Sequence, residues 1–124
     1  MKNILITGGA GYIGSHVAEI LINKKKKIFI IDNLSSGFKK LLNKKAHFIN
    51  LNILNTSKLK KIIIHNKIDS VIHLAASLII SVGETHPKLY YKNNVLGTKS
   101  LLRACNNSLV KNFIFSSTAA VYKE

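Results

Sequence analysis

Short apolar runs alternate along this chain with segments in which apolar residues recur every three or four positions. The apolar runs predict five β-strands, at residues 3–7, 27–32, 47–51, 70–74 and 112–115. The periodic segments predict three helices, at residues 12–23, 57–65 and 87–106. Strands that alternate with helices pair in parallel through right-handed crossovers. The pattern therefore predicts an α/β fold with a doubly wound parallel sheet that stops after about five strands.

Capping and packing signals refine these helices. The first helix is expected to bury one apolar face, formed by Ile13, Val17, Ile20 and Leu21. Thr56 or Ser57 is a suitable N-cap for the second helix, and Pro87 suits the first turn of the third. Residues 75–85 are expected to form a loop.

A glycine-rich turn follows the first apolar run directly. Residues 8–14 read Gly-Gly-Ala-Gly-Tyr-Ile-Gly and lie between the first predicted strand and the first predicted helix. Without a Cβ atom, Gly8 permits a tight turn, Gly11 lets the backbone approach phosphate oxygens, and Gly14 lets the helix pack close to the strand. The free N–H groups of the helix N-terminus favour an anion. The turn therefore predicts a site for the pyrophosphate of a dinucleotide on a Rossmann-type fold.

An acidic residue ends the second apolar run. Asp32 lies about 20 residues beyond the glycines, where a carboxylate accepts hydrogen bonds from the adenosine ribose. A carboxylate there repels the 2′-phosphate of NADP, so NAD is the expected cofactor. The alternative is that Asp32 is a turn residue that ends the strand. The common register of glycines, helix and acid favours dinucleotide binding.

Composition is typical of a globular protein with one domain. The 124 residues are 47% hydrophobic, which suffices for one core. No apolar run reaches the roughly 18 residues that cross a bilayer, and no signal peptide opens the chain. A cytoplasmic protein without membrane contact is therefore expected. The single cysteine, Cys105, lies on an apolar helix face and is expected to be a small buried side chain.

The net charge of +14 raises the question of nucleic-acid binding. All but one of the 19 basic residues are lysines, scattered along a chain that is also rich in Asn and Ile. Sequence-reading proteins place arginine on base edges and aromatic rings on unstacked bases, and neither forms a recognisable pattern here. No specific nucleic-acid partner is expected. The five histidines show no metal-binding spacing, so no metal site is expected.

Small and polar residues follow the middle strands at the edge where open α/β sheets bind ligands. Asn52 and Ile53 follow the third strand and are placed to meet an adenine. Leu74, Ala75 and Ala76 follow the fourth strand, where small side chains let the backbone approach a flat ligand. Ala75 and Ala76 are equally compatible with plain packing.

Two further polar groups lie near the same predicted edge. Residues 116–118 follow the last strand and are either ligand-facing hydroxyls or a helix N-cap cluster. Asn93, on the long helix, is expected to support the cofactor loop.

Together these motifs resemble the extended short-chain dehydrogenase/reductase family, which includes NAD-dependent epimerases and dehydratases, and within it the UDP-glucose 4-epimerases. The resemblance covers nearly the whole chain and is carried by residues 7–16, 32–34, 71–76, 90–98 and 111–122. The runs Gly-Tyr-Ile-Gly-Ser-His and Tyr-Tyr-Lys-Asn-Asn-Val favour the epimerases. UDP-glucuronate epimerases and sugar-nucleotide dehydratases stay open as relatives.

The resemblance implies a bound NAD and a UDP-sugar substrate, with hydride transfer from sugar C4 through a 4-keto intermediate. It implies that Tyr12 and Ile13 contact the pyrophosphate and that the hydroxyl facing substrate and base is that of Thr118. The other implied cofactor contacts are Asp32, Asn33, Asn52, Ile53, Leu74, Ala75, Ala76 and Asn93. Homodimers are usual in the family, but only one of the helices that form them is present, which argues against a dimer.

Two departures from the family pattern matter. Asn52 stands where the family usually has Asp, which changes the adenine contact in kind. In addition, no tyrosine of the 124 residues has a lysine four positions later, and this pair supplies the family's general base.

The chain is therefore interpreted as an incomplete NAD-binding domain, residues 1–124, without the substrate domain, and as a truncated, inactive epimerase. A non-catalytic dinucleotide-binding or interaction module is the alternative. Its pairing surface would be the apolar edge at residues 113–115.

Overall fold

A single parallel β-sheet forms the centre of the computed structural model, which describes residues 2–77 and 80–117, with residues 80–82 by their backbone. The strands are β1 (Asn3–Thr7), β2 (Lys27–Asp32), β3 (His47–Asn50), β4 (Ser70–His73) and β5 (Asn112–Phe115). Their order is β3-β2-β1-β4-β5, and every neighbouring pair is parallel. The chain winds outward from β1 on one side and then on the other. This confirms the predicted doubly wound α/β fold.

The helices agree with the prediction less closely than the strands do. They are α1 (Tyr12–Asn23), α2 (Thr56–His65), α3 (Ile80–Thr85), α4 (Pro87–Tyr91) and α5 (Gly97–Cys105), with a 3₁₀ turn at Lys39–Leu41. The prediction of a loop over 75–85 is wrong for its second half, where α3 forms. The N-cap of α2 is Asn55, whose Oδ1 accepts from the Lys58 N–H at 3.1 Å, and not Thr56 or Ser57.

The predicted long helix is continuous but changes its geometry in the middle. Between α4 and α5, residues Lys92–Leu96 form a π-helical turn. The Thr98 hydroxyl donates to the Asn94 carbonyl at 2.6 Å. A side chain that takes a helix carbonyl competes with the regular ladder of backbone hydrogen bonds, which accounts for a local change in winding.

Alternate side chains of the strands form two cores, one on each face of the sheet. One face packs Leu5, Ile31 and Val71 against α2 and α5 through Leu59, Ile63 and Leu101. The other face packs Ile4, Ile6, Ile28 and Ile30 against α1 through Ala18. Cys105 is half-buried at the first core, and burial raises the pKa of its thiol to about 11. Cys105 therefore packs against the core as predicted, but it is half-buried and not fully buried as expected.

Helix α1 meets the sheet on its small residues. Its buried positions are Gly14, Ser15 and Ala18, whereas Ile13 and Ile20 are 59% and 56% exposed. The predicted apolar face is therefore wrong for these two isoleucines, although Val17 and Leu21 do pack against the core. A Cβ atom on Gly14 would collide with the Gly8 carbonyl oxygen, so the close approach at the glycine turn selects the small face of the helix.

The end of the sheet opposite the glycine turn is held by one carboxylate. Asp69 Oδ2 accepts from the backbone N–H groups of Lys2 and Asn3 at 2.7 and 3.0 Å, and Oδ1 accepts from the Ser70 hydroxyl at 2.6 Å. Burial opposes ionisation, but these hydrogen bonds outweigh it and lower the pKa of Asp69. Asp69 thereby ties the entry of β1 to the entry of β4.

Two helices end with lysine in a backbone conformation that favours glycine. Lys25 and Lys67 have φ of 58° and 49°. At each end the paired Schellman hydrogen bonds are present: Lys26 N–H to Leu21 O and Lys25 N–H to Ile22 O after α1, and Ile68 N–H to Ile63 O and Lys67 N–H to Ile64 O after α2.

We expect Lys25→Gly and Lys67→Gly each to raise the free energy of unfolding by about 0.5–1 kcal/mol, because glycine relieves the left-handed strain. Urea unfolding measures the change. Lys61→Gly, at an exposed position inside α2, is the matched control and should lower the free energy by about 1 kcal/mol. Equal losses in all three variants would contradict the expectation.

Candidate functional site

A groove lies where the carboxyl ends of β1, β2 and β4 meet. Thr7 is in register with Ile31 on one side and with His73 on the other, so the segments after these three strands leave the sheet at one level. The groove is lined by Gly8, Gly11, Ile31, Asp32, Asn33, Ser35, Ser36, Gly37, Leu51, Ile53, Leu74, Ala75, Ala76 and Asn93. Open α/β sheets bind ligands at this edge.

Gly8 makes the first tight contact of the site. Its φ is +75°, and a Cβ atom would lie 2.7 Å from the Ala75 backbone nitrogen. Its own N–H donates to the Ile31 carbonyl at 2.9 Å, which extends the β1–β2 pairing by one bond. Only glycine satisfies both the conformation and the approach of the segment after β4.

Gly11 differs from the other glycines of the turn. Its backbone is extended, with φ −80° and ψ 173°. A Cβ atom would meet only the Gly8 carbonyl oxygen, at an ordinary 3.4 Å. The fold therefore does not demand glycine at this position, and the missing Cβ leaves open space on the groove.

The N-terminus of α1 points its donors at the same space. Gly11 is the N-cap, no side chain caps the helix, and the first turn contains no acidic residue. Because no side chain caps them, the first N–H groups of α1 can donate hydrogen bonds to the oxygens of a phosphate group. The residues present thus fit the pyrophosphate of a dinucleotide.

Asp32 joins the glycine turn to the segment after β2. Its Oδ2 accepts from the Ala10 N–H at 3.0 Å, and its Oδ1 accepts from the Leu34 N–H at 2.8 Å. The Phe38 N–H in turn donates to the Ala10 carbonyl at 3.0 Å. The carboxylate is therefore fixed in orientation, and each oxygen keeps a second lone pair for a ribose hydroxyl.

The sequence profile described as "NAD dependent epimerase/dehydratase family" matches residues 4–124. The match includes β1 from Ile4 onward, the other four strands in full, and every residue that lines the groove. The chain belongs to this family. The family's dependence on NAD agrees with the cofactor predicted from Asp32 and the glycines.

Individual relatives in the NAD-dependent epimerase/dehydratase family are UDP-glucose 4-epimerases. The enzyme of Lactobacillus helveticus is 41% identical over 119 residues, covering 96% of this chain and 36% of that protein. The enzyme of Yersinia enterocolitica is 44% identical over 131 residues, covering 98% of this chain and 38% of that protein. The predicted resemblance is confirmed, and the chain spans little more than a third of the length of these relatives.

Solved structures of the family superimpose closely. The Thermotoga maritima UDP-glucose 4-epimerase with UDP-glucose matches with a TM-score of 0.91 at 40% identity, covering 94% of this chain and 38% of that one. The Brucella ovis UDP-glucose 4-epimerase in complex with NAD matches with a TM-score of 0.92 at 38% identity, covering 100% of this chain and 38% of that one.

Most of the residues predicted to contact the cofactor come together in the groove. These are Gly8, Gly11, Asp32, Asn33, Ile53, Leu74, Ala75, Ala76 and Asn93. Ile53 is buried and contributes to the core as well as to the groove wall. Their contacts with a cofactor remain predictions.

Four of the predicted cofactor contacts lie outside the lining, and the predicted substrate-facing residue cannot be compared with it. The Tyr12 and Ile13 side chains, in the first turn of α1, are exposed, and neither residue lines the groove. Gly14 is buried beneath the turn. Asn52 is exposed, and its Oδ1 accepts from the Leu54 N–H at 2.9 Å. Thr118 lies outside the described residues.

Sequence reasoning missed several groove residues. Ser35, Ser36 and Gly37 follow Asp32, and a Cβ atom on Gly37 would lie 2.8 Å from the Ala10 Cβ. A Ser-Ser-Gly run is typical of a turn, but nothing in it indicates that the turn folds back onto the glycines. Ile31 and Leu51 also line the groove, and they look like ordinary strand residues in the sequence.

A buried histidine lies directly below the segment after β4. His73 Nδ1 is 2.6 Å from the Thr7 hydroxyl, and its Nε2 is 2.9 Å from the Thr98 hydroxyl. Because Thr98 donates its proton to the Asn94 carbonyl, Nε2 must donate to Thr98 and Nδ1 must accept from Thr7. Burial lowers the pKa of His73 to about 4, so the ring is neutral at pH 7.

Other kinds of site are absent from the part of the chain that is described. No group of three or more His, Cys, Asp or Glu side chains there is arranged to hold a metal ion. No helix within residues 2–77 and 80–117 is long and apolar enough to span a membrane.

We expect His73 to make folding stability fall as pH falls. The unfolded histidine takes up a proton near pH 6.5 and the folded one only near pH 4, so stability is full above pH 6.5 and is lost between these values. Between pH 7.5 and 5.0 the loss is on the order of 1–2 kcal/mol.

Urea unfolding of the wild type and of His73→Gln at both pH values measures this loss. The variant should be less stable at pH 7.5 but should lose less stability on acidification. His65→Gln, at the exposed end of α2, should keep the wild-type pH dependence. An unchanged pH dependence in His73→Gln would refute the assignment.

Proposed function

We propose that residues 1–124 form the NAD-binding domain of a UDP-glucose 4-epimerase. The observation that carries this proposal is the hydrogen bond from the Ala10 N–H to Asp32 Oδ2, at 3.0 Å. It joins the glycine turn, the N-terminus of α1 and the ribose-binding acid in one groove. Relatives that share about 40% of the sequence, and that carry the name UDP-glucose 4-epimerase, support the choice of reaction.

In this proposal, the two halves of NAD lie on opposite sides of β1. Asp32 and Asn33, on the β2 side, bind the adenosine ribose. Asn52 and Ile53, which follow the neighbouring β3, contact the adenine. Gly11 and the first turn of α1 receive the pyrophosphate. Leu74, Ala75, Ala76 and Asn93 on the β4 side receive the nicotinamide half. Bound NAD supplies the acceptor for the hydride from sugar C4.

The proton transfer requires groups that these residues do not contain. A general base must lie within hydrogen-bonding distance of the sugar hydroxyl, and no tyrosine of these 124 residues is followed by a lysine four positions later. We therefore assign binding and orientation of NAD to this chain, and proton transfer and most sugar contacts to residues outside it. Thr118 is the one substrate-facing position that we assign within it.

We expect Gly11→Ala to weaken NAD binding by about tenfold or more, because the methyl group occupies the space of a phosphate oxygen. Stability should stay the same or rise slightly, since the extended backbone accepts alanine and the unfolded chain loses freedom. Titration calorimetry with NAD and urea unfolding test the two statements.

The wild type should also bind NADP about tenfold more weakly than NAD, because Asp32 repels its 2′-phosphate.

Gly14→Ala is the control for a structural glycine. It should lower stability strongly, because its Cβ atom meets the backbone of Gly8 and Gly9. A Gly11→Ala chain that binds NAD like the wild type, or a wild type that prefers NADP, would contradict the proposal.

We expect the 124-residue chain to bind NAD without converting UDP-galactose to UDP-glucose. A coupled assay of the purified, NAD-loaded chain measures the conversion. Turnover at the rate of a complete relative such as the Thermotoga maritima enzyme, assayed alongside, would show that a base is present within these residues and would refute the division of roles.

A further inference from the structure

We propose that the edge of the sheet opposite the groove is a basic surface that binds the phosphate backbone of a single-stranded nucleic acid. The surface consists of lysines that stand at the first residue of a strand or within three residues before it. They are half of the chain's 18 lysines, namely Lys2, Lys24, Lys25, Lys26, Lys27, Lys44, Lys45, Lys67 and Lys111. All are exposed except Lys26, which is half-buried. We call this surface the lysine edge.

The fold gathers these lysines, which are spread along the sequence from residue 2 to residue 111. Because all five strands are parallel, the residues that precede them meet at one edge of the sheet. Every strand contributes at least one lysine, and the order across the sheet is Lys45, Lys27, Lys2, Lys67 and Lys111. Neighbouring strands lie about 4.8 Å apart, so the row of lysines is about 20 Å long.

The two ends of the strands differ in their lysine content. No lysine stands within three residues after the end of any strand, whereas a composition rich in lysine would by itself supply both ends alike. Helix dipoles favour cations directly after a helix, which accounts for the lysines that follow α1 and α2. However, Lys2 and Lys45 follow no α-helix directly, and Lys111 lies six residues beyond the end of α5. Neither composition nor helix capping therefore explains the whole row.

Negative charge is sparse at the lysine edge. Of the five acidic residues in the sequence, only Asp69 stands within three residues before a strand. Its oxygens accept hydrogen bonds from the Lys2 and Asn3 N–H groups and from the Ser70 hydroxyl, so this carboxylate serves the entries of β1 and β4. A polyanion that lies along the edge therefore meets nine ammonium groups and one carboxylate.

The chemistry and shape of the lysine edge favour one kind of polyanion. Lysine binds phosphate as a point charge and reads no base. No Arg, Phe, Tyr or Trp stands within three residues before any strand, so base recognition and base stacking are not provided there. Binding is therefore to the backbone and independent of sequence.

Twist of the sheet separates a nucleic-acid strand from a membrane as the partner. Adjacent strands are rotated by about 20–25°, so the five strand entries follow a curved path. A flexible single strand can follow that path along its whole length, whereas a flat bilayer of anionic lipids touches only part of it. The curvature thus favours a single-stranded nucleic acid.

The test compares two variants that lose the same charge from different surfaces. The edge variant carries Lys2→Gln, Lys44→Gln, Lys45→Gln, Lys67→Gln and Lys111→Gln. The control variant carries Lys58→Gln, Lys60→Gln, Lys61→Gln, Lys88→Gln and Lys99→Gln, all at exposed positions of α2, α4 and α5. Each variant removes five positive charges from the net charge of +14. Fluorescence anisotropy with a labelled oligouridylate of about 15 nucleotides measures binding at several salt concentrations, and urea unfolding verifies that both variants are folded.

We expect the wild type to bind the oligouridylate with a Kd in the micromolar range at about 50 mM salt. The edge variant should bind at least about tenfold more weakly, and the control variant within about threefold of the wild type. One phosphate contact for each strand gives a slope of log K against log salt of about −3.5, since each contact with a single strand contributes about −0.7. The edge variant should at least halve this slope. Saturating NAD should not displace the oligouridylate, because the groove lies at the opposite end of the strands.

Four results would overturn the inference. A wild type that does not bind the oligouridylate at about 50 mM salt shows that the edge is no such surface. An equal loss in both variants means that net charge, and not the edge, attracts the nucleic acid. Displacement by NAD places the oligonucleotide in the groove. Tighter binding to vesicles of phosphatidylserine and phosphatidylcholine, lost only in the edge variant, assigns the edge to a membrane. The comparison of variants does not involve NAD, so its outcome is independent of the proposed function.

Discussion

The close approach of backbone at Gly8 is the constraint on which the rest of the site depends. Gly8 follows the last residue of β1, lies within contact distance of the segment after β4, and begins the turn toward α1. A side chain would separate all three. Because the left-handed conformation and the contact with Ala75 occur at the same residue, one glycine sets both the direction of the turn and the width of the groove.

Hydrogen bonds fix the backbone of the loops that form the groove. The N–H and C=O groups of Ala10 are both hydrogen-bonded, to Asp32 and to the Phe38 N–H, and both groups of Ser77 are hydrogen-bonded to Asn94. Apolar packing on the two faces of the sheet reaches the groove wall through side chains such as Ile31 and Ile53. Polar groups and bare backbone thus face the groove beside these apolar side chains, which suits a charged, extended dinucleotide.

His73 shows how a structural residue can support a binding site without touching it. Its neutral ring uses one nitrogen as an acceptor and the other as a donor, and that assignment follows from the direction of the Thr98 hydrogen bond. The ring also contacts Phe113 and Phe115 of β5. Buried polar groups of this kind are stable only when every partner is satisfied. The arrangement therefore fixes the relative positions of β1, β4 and the π-helical turn.

Local signals in the sequence determined the strands, the parallel sheet and the chemistry of the groove. The alternating apolar runs located β1, β2 and β5 to the residue, and the spacing from Gly8–Gly14 to Asp32 predicted the cofactor that the family uses. These features depend on contacts between near neighbours or on a regular period, and both are visible in one dimension.

Only the tertiary structure decided which residues meet across the sheet. It turned the small face of α1 inward, folded Ser35–Gly37 onto Ala10, and made Asn94 the residue that grips the Ser77 backbone. It also distinguished Gly14, which the packing requires, from Gly11, which the packing leaves free. Such distinctions depend on distances between segments that are far apart in sequence, and neither composition nor periodicity encodes those distances.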